Sequence, residues 1–211
     1  MKAINYMSIT FIFMGLLLSG CAENPADNST TSDTQNAFEN SETPIAGTTF
    51  TFAPDTKVDF IGSKVTGSHD GGFEKVTGTI MVPDNSIENA QINVTIDMIS
   101  IWSDSKKLTG HLKNEDFFEV ETYPETKFRS TSISKSDSGY EIKGNLTLHG
   151  VTKGITFPAQ ITITENASSL SATADFSIDR TDFGVNYKGK ADNLIRPEVV
   201  IKLDLKASAG A

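Results

Sequence analysis

An all-β fold of antiparallel strands is predicted for residues 48–211 by two features of the sequence. Apolar and polar residues alternate with a period of two, and turn-forming residues separate the alternating runs. Successive strand side chains point to opposite faces, so each run offers one face to a core and one to water. Ile92, Val94, Ile96 and Met98 alternate with Asn93, Thr95 and Asp97. Tyr140, Ile142, Leu146 and Leu148 share a face, opposite Glu141, Lys143, Asn145 and Thr147. Leu170, Ala172, Ala174, Phe176 and Ile178 form a third row, and Val199, Ile201, Leu203 and Leu205 a fourth. Asp70-Gly71-Gly72, Pro83-Asp84-Asn85, Ser138-Gly139 and Glu165-Asn166 mark turns. One segment breaks the pattern. Residues 103–116 are polar and read as a short helix, with Ser103 or Asp104 as its cap. This spacing fits a sandwich or a barrel, and periodicity does not choose between them.

Residues 1–20 read as an export signal of the lipoprotein type. Lys2 is the only charge before Glu23, and an apolar run from Ile9 to Leu18 follows it. The run is shorter than the about 20 residues a spanning helix needs. Leu18-Ser19-Gly20-Cys21 then resembles the bacterial lipobox, which implies a diacylglycerol on the Cys21 thiol. Cys21 is the only cysteine, so the domain has no disulfide and no thiolate chemistry. Acyl chains contribute about 0.8 kcal/mol per buried methylene, so several of them tether a protein without a span. The expected location is the cell envelope, on the periplasmic side. Ala22, where an aspartate would favour inner-membrane retention, leans the expectation toward the outer membrane.

Residues 21–47 comprise the cysteine and a segment rich in Asn, Ser, Thr, Asp and Glu, with Phe38 and Ile45 its only large apolar residues. Its charges are all acidic. Such a stretch is expected to be a disordered linker, because it buries too little apolar surface to offset its chain entropy.

The net charge of −9 argues against nucleic acid as a partner, since phosphate binding needs a basic footprint. It also argues against electrostatic adsorption to anionic lipid.

Candidate chemistry is sparse. His69, His111 and His149 lack the spacing of a zinc motif, and hydrogen-bonded structural roles are expected for them, with no metal. Ser68-His69-Asp70 holds triad residue types, but neighbours on a strand point to opposite faces and cannot line up. There is no nucleophile elbow and no glycine-rich phosphate loop. No catalytic residue and no cofactor is assigned, and the expectation is a protein that is not an enzyme. The aromatic residues are mostly Phe, suited either to a solid core or to the wall of a cavity inside a barrel of about eight strands.

Three stretches carry a family resemblance. They are His111-Leu112-Lys113-Asn114-Glu115-Asp116-Phe117-Phe118-Glu119-Val120, continuing through Tyr123-Pro124 to Phe128-Arg129-Ser130; Gly144-Asn145-Leu146-Thr147-Leu148-His149-Gly150-Val151-Thr152-Lys153; and Ile178-Asp179-Arg180-Thr181-Asp182-Phe183-Gly184. Together they resemble the YceI family, whose members are lipocalin-like and bind polyisoprenoids. The resemblance runs from Phe52 to Ala207. It implies an elongated antiparallel barrel of about eight strands with an apolar tunnel for an isoprenoid tail. Many members carry an Arg-Asp pair just before the histidine of the first stretch, where this chain has Leu108-Thr109-Gly110. Trp102 also stands where a small polar residue is expected.

The expected tunnel residues are Phe60, Phe73, Ile80, Ile92, Val94, Ile96, Phe128, Leu146 and Phe157. Arg129 and Arg180 are candidates for a charged head group, with a structural ion pair to Asp179 or Asp182 the favoured role for Arg180. Burying one five-carbon unit releases roughly 4 kcal/mol gross. The tail therefore dominates affinity and the head tunes it. The expected function is a membrane-tethered periplasmic binding protein for a polyisoprenoid or similar long-chain lipid, such as an isoprenoid quinone or prenyl lipid, in storage or transfer. The alternative is a structural or interaction lipoprotein with a filled barrel core. Some family members pair, which makes a homodimer an open expectation.

Overall fold

The computed structural model describes residues 22–39, 46–191 and 193–210. The export signal and Cys21 lie outside the described residues. In chain order the strands are β1 (Thr30–Thr31), β2 (Asp33–Asn36), β3 (Thr48–Phe52), β4 (Lys57–Lys64), β5 (Gly67–Phe73), β6 (Val76–Val82), β7 (Gln91–Asp97) and β8 (Ile101–Ser103). Helix α1 (Lys106–Leu112) follows, then β9 (Glu125–Ser136), β10 (Gly139–Leu148), β11 (Val151–Ile163), β12 (Ser169–Asp179), β13 (Gly189–Lys190) and β14 (Asn193–Ala209).

Eight strands close a ring in the order β12, β11, β10, β9, β7, β6, β3, β14 and back to β12. The ring is antiparallel throughout. The long β12–β14 ladder, from Ser169↔Ser208 to Asp179↔Glu198, is the closing seam. The sequence left a sandwich and a barrel open; the fold is the barrel. Closure removes the unpaired edges that an open sheet would expose.

At one end the wall continues beyond the ring. β4 extends the line of β3 along β14, β5 pairs with β4, and β8 pairs with β5. The β7–β9 ladder stops at Asp97↔Glu125, so β8 has no strand on its far side among the described residues. Helix α1 and the turns after it occupy that flank, with Leu112, Phe117 and Val120 buried. The helix is shorter than expected and its cap is Ser105, whose Oγ accepts from Leu108 N at 3.4 Å. Ser103 cannot cap it, because its backbone is in β8, paired with Gly71.

The linker expectation is corrected for the described part of the segment. β1 runs parallel to β12 (Thr30↔Phe176, Thr31↔Ser177), and β2 runs antiparallel to β11 (Asp33↔Thr156 to Asn36↔Lys153). The reason lies in the ring. β11 and β12 pair with each other only over 160–163 and 170–173. Toward the extended end they diverge, leaving backbone donors and acceptors that need partners. The strap supplies them, with Ser32 N donating to Ser177 O at 2.8 Å. Asn145 grips its far end: Phe38 N donates to Asn145 Oδ1 at 2.7 Å, and Asn145 Nδ2 donates to Phe38 O at 2.9 Å. Composition forecast too little apolar burial for order. The segment is held by backbone hydrogen bonds instead.

The end opposite the extension is packed solid. Phe50, Ile80, Val82 and Ile133 are all buried there.

Candidate functional site: an apolar cavity in the barrel

The barrel is not filled along its whole length. A cavity of about 310 Å³ runs from its middle toward the extended end. That lies at the small end of the usual range for ligand sites, about 300–1,000 Å³. Its depth is walled by Phe128, Leu146, Phe157, Phe176, Leu203 and Leu205. Nearer the mouth stand Phe60, Phe73, Leu108, Phe117, Val185 and Ile195. The inward rows read from the alternation supply part of this surface, because β7, β10, β12 and β14 each turn one face to the interior.

Aromatic packing shapes the floor. Phe157 stacks on Phe176 with ring centroids 4.2 Å apart and planes at 13°, and Phe128 tilts against Phe157 at 5.6 Å. Beyond these rings lies a second void of about 40 Å³, walled by Ile92, Ile142, Ala159 and Ala172. Val94, Phe128, Phe157, Leu203 and Leu205 belong to both walls, so they form the partition.

Polar groups collect at the mouth. Ser63, Lys64, His69 and His111 line it, and each histidine has a carboxylate partner. His69 Nδ1 is 2.7 Å from Asp104, and His111 Nε2 is 2.8 Å from Asp116. The His111 ring also packs edge-on against Phe117 and Tyr187. His149 packs against Tyr123 instead. Among the described residues no group of three or more His, Cys, Asp or Glu side chains is placed to hold a metal ion. Deeper in the wall, Thr126 Oγ1 is buried without a hydrogen-bond partner among the described residues.

Arg180 lines the cavity but is built into the fold. Only 6% of it is exposed. Its guanidinium donates to the carbonyls of Val185, Arg196 (3.2 Å) and Ile195 (3.5 Å). Burial pushes it below the ordinary arginine value, against the pull of Asp179. The structural role expected for it is met by carbonyls rather than by an ion pair. Asp179 turns instead to Thr181, accepting from its N at 2.8 Å.

Of the expected tunnel residues, Phe60, Phe73, Val94, Ile96, Phe128, Leu146 and Phe157 line the main cavity. Ile92 lines only the smaller void. Ile80 is 1% exposed and packs the solid end, so it does not face the cavity. Arg129 follows inward-facing Phe128 on β9 and falls on the outer face, away from the cavity wall. Trp102 is on the outer wall, opposite buried Ile101. Phe176, Ile178, Val185 and the β14 row also belong to the wall, beyond the tunnel residues expected from the sequence. The alternation placed the β12 and β14 rows inside, but no local signal separates lining from filling.

A model of the YceI-like domain matches residues 48–207. A UPF0312 protein of Photorhabdus laumondii is 34% identical over 91 residues, 43% of this chain and 47% of the relative. A UPF0312 protein of Pseudomonas putida is 29% identical over 137 residues, 63% of this chain and 71% of the relative. The match thus spans about half the length of the first relative and more of the second. Among solved structures, BcnA of Burkholderia cenocepacia superposes with a TM-score of 0.66 at 23% identity, covering 72% of this chain and 96% of that one. A polyisoprenoid binding domain from Saccharophagus degradans, implicated in plant cell wall breakdown, superposes at 0.61 with 18% identity, covering 77% and 98%. At these identities the structural likeness speaks to the fold. The match to the domain model, over most of the chain and on the barrel just described, makes this chain a member of the YceI-like family.

Proposed function

We propose that this protein binds a polyisoprenoid or similar long-chain lipid and shields its tail from water, in storage or transfer, with no bond made or broken. The observation that carries the reading is the cavity of about 310 Å³, walled by Phe, Leu, Ile and Val and open at one end. An apolar tail gains from leaving water for such a wall, and the partial filling of the barrel leaves room for it. The polyisoprenoid binding named for the Saccharophagus degradans domain supports the ligand class. Arg180 is held by carbonyls, the neutral Thr126 lies deeper in the wall, and the other polar lining groups stand at the mouth. This favours an uncharged head, such as a quinone, over a pyrophosphate. The reading includes a lipid anchor on Cys21 and a place in the cell envelope on the periplasmic side, both supported by the signal-like start of the chain.

Native mass spectrometry of the full chain purified from bacterial membranes, with organic extraction of any adduct, tests it. A stoichiometric long-chain isoprenoid is expected. No adduct, and no uptake of added quinone or prenyl lipid, would overturn it in favour of a structural lipoprotein.

A further inference from the structure

Two hairpin tips meet beside the cavity mouth. The β4–β5 turn and the β13–β14 hairpin are tied by Val65 N donating to Leu194 O at 3.2 Å and by Thr66 Oγ1 donating to Asn193 Oδ1 at 2.8 Å. Directly below the joint, Lys64 pairs in register with Ile195, and both line the mouth. Val65 is 40% exposed and Leu194 47%, although they are adjacent apolar side chains. Lys188 and Lys190 are exposed on the same hairpin. Single exposed apolar residues are ordinary on any surface. Here two lie together, with lysines around them, at the entrance of an apolar cavity.

An independent observation points to the same place. The strap begins there: Arg196 donates to Ala22 O at 2.8 Å, and Ser63 Oγ donates to Asn24 Oδ1 at 3.4 Å. Ala22 follows Cys21, the residue proposed to carry the lipid. A freely jointed linker would let the barrel face any direction. A strap bonded to Arg196 and Ser63, and then laid between β11 and β12, ties the anchor to the mouth end of the barrel.

We propose that the joined tips carrying Val65 and Leu194 form a bilayer-docking element that sets the cavity mouth against the membrane surface. It rests on the lipid-binding reading and names the partner from which the ligand is taken. Apolar tips enter the head-group region, as in other interfacial anchors.

The test uses the acylated full chain on phosphatidylethanolamine–phosphatidylglycerol vesicles, with a long-chain ubiquinone as probe. The double variant V65D/L194D is expected to take up ubiquinone from vesicles at least about tenfold more slowly than the parent, while taking up the same amount from detergent micelles. An unchanged vesicle rate overturns the docking element. Loss of uptake from both sources in the parent would instead strike the lipid-binding reading. Docking is measured separately by a nitroxide on V65C, expected to lie in the bilayer, against one on S138C in the β9–β10 turn, expected in water. Equal water exposure of the two labels overturns the proposal whatever the uptake results.

Discussion

Phe157 lies face to face with Phe176, ring centroids 4.2 Å apart, and its ring is part of the partition between the main cavity and the smaller void beyond. The stack therefore sets how deep the cavity runs. Phe157→Ala is expected to cost about 3–5 kcal/mol of stability, the usual range for a buried Phe truncation, read from urea unfolding. Phe157→Leu should cost less. Both should shift the bound lipids toward longer tails in native mass spectra. An unchanged length distribution in both would show that the partition does not limit the tail.

Gly71 sits directly across from Phe60 in the β4–β5 ladder, and a Cβ at Gly71 would fall 2.3 Å from Phe60 Cζ. Gly71→Ala must push the Phe60 ring aside and also meets the Trp102 carbonyl oxygen, 2.6 Å from that Cβ. Overpacking of this kind is expected to cost about 1–3 kcal/mol and to narrow the mouth. A lower ubiquinone capacity in titrations of the folded variant would report the displaced ring.

Arg180 satisfies carbonyls from two segments, 185 and 195–196, that wrap the mouth. Arg180→Met keeps length but removes every donor, leaving those carbonyls short of partners. A loss of roughly 2–4 kcal/mol in chemical denaturation is expected. Lysine should not rescue it, since a point charge cannot serve several carbonyls as a planar fork does. Binding of a neutral quinone by the folded variant should persist, and its loss would assign Arg180 to the head group after all.

Asn145 holds Phe38 by two hydrogen bonds and thereby fastens the strap over β11. Asn145→Ala is expected to cost about 1–3 kcal/mol. Amide exchange should quicken at Asp33–Asn36 and at 153–156, the paired halves of the β2–β11 ladder, while β9 stays protected. Unchanged exchange there would mean that Asn145 is not the clasp.

The corner between β3 and β4 is clasped to Lys206. Thr56 Oγ1 donates to Lys206 O at 2.9 Å, and Lys206 Nζ lies 2.9 Å from Asp55. The hydrogen bond from Lys206 lowers the Asp55 carboxyl below its ordinary value. A depressed carboxyl pKa contributes stability above its unfolded value and loses it as pH falls through the folded one. Both groups are exposed, so the effect is small. Asp55→Asn should flatten the fall in melting temperature below about pH 4 relative to the parent.

Much of this was legible along the chain. The alternation at 92–98, 140–148, 170–178 and 199–205 determined the strands and their inner faces, because side-chain direction in a strand is fixed by parity. The three family stretches brought the barrel and the tunnel with them. Parity does not say how far along a barrel a residue sits. Ile80 and Phe60 both face inward, yet one packs the solid end and the other lines the mouth. Arg180 shows the same limit: its partners at 185, 195 and 196 are set by how the chain folds back.

The sequence by itself determined the strand pattern, the signal-like start with its single cysteine, and the acidic balance of the chain. Only the tertiary structure decided where the barrel is hollow, since a void is what remains when distant side chains fail to meet. It alone put order into the strap, through backbone bonds that composition does not reveal. It alone set Val65 beside Leu194, because only ladder register brings residues so distant in the chain to one edge.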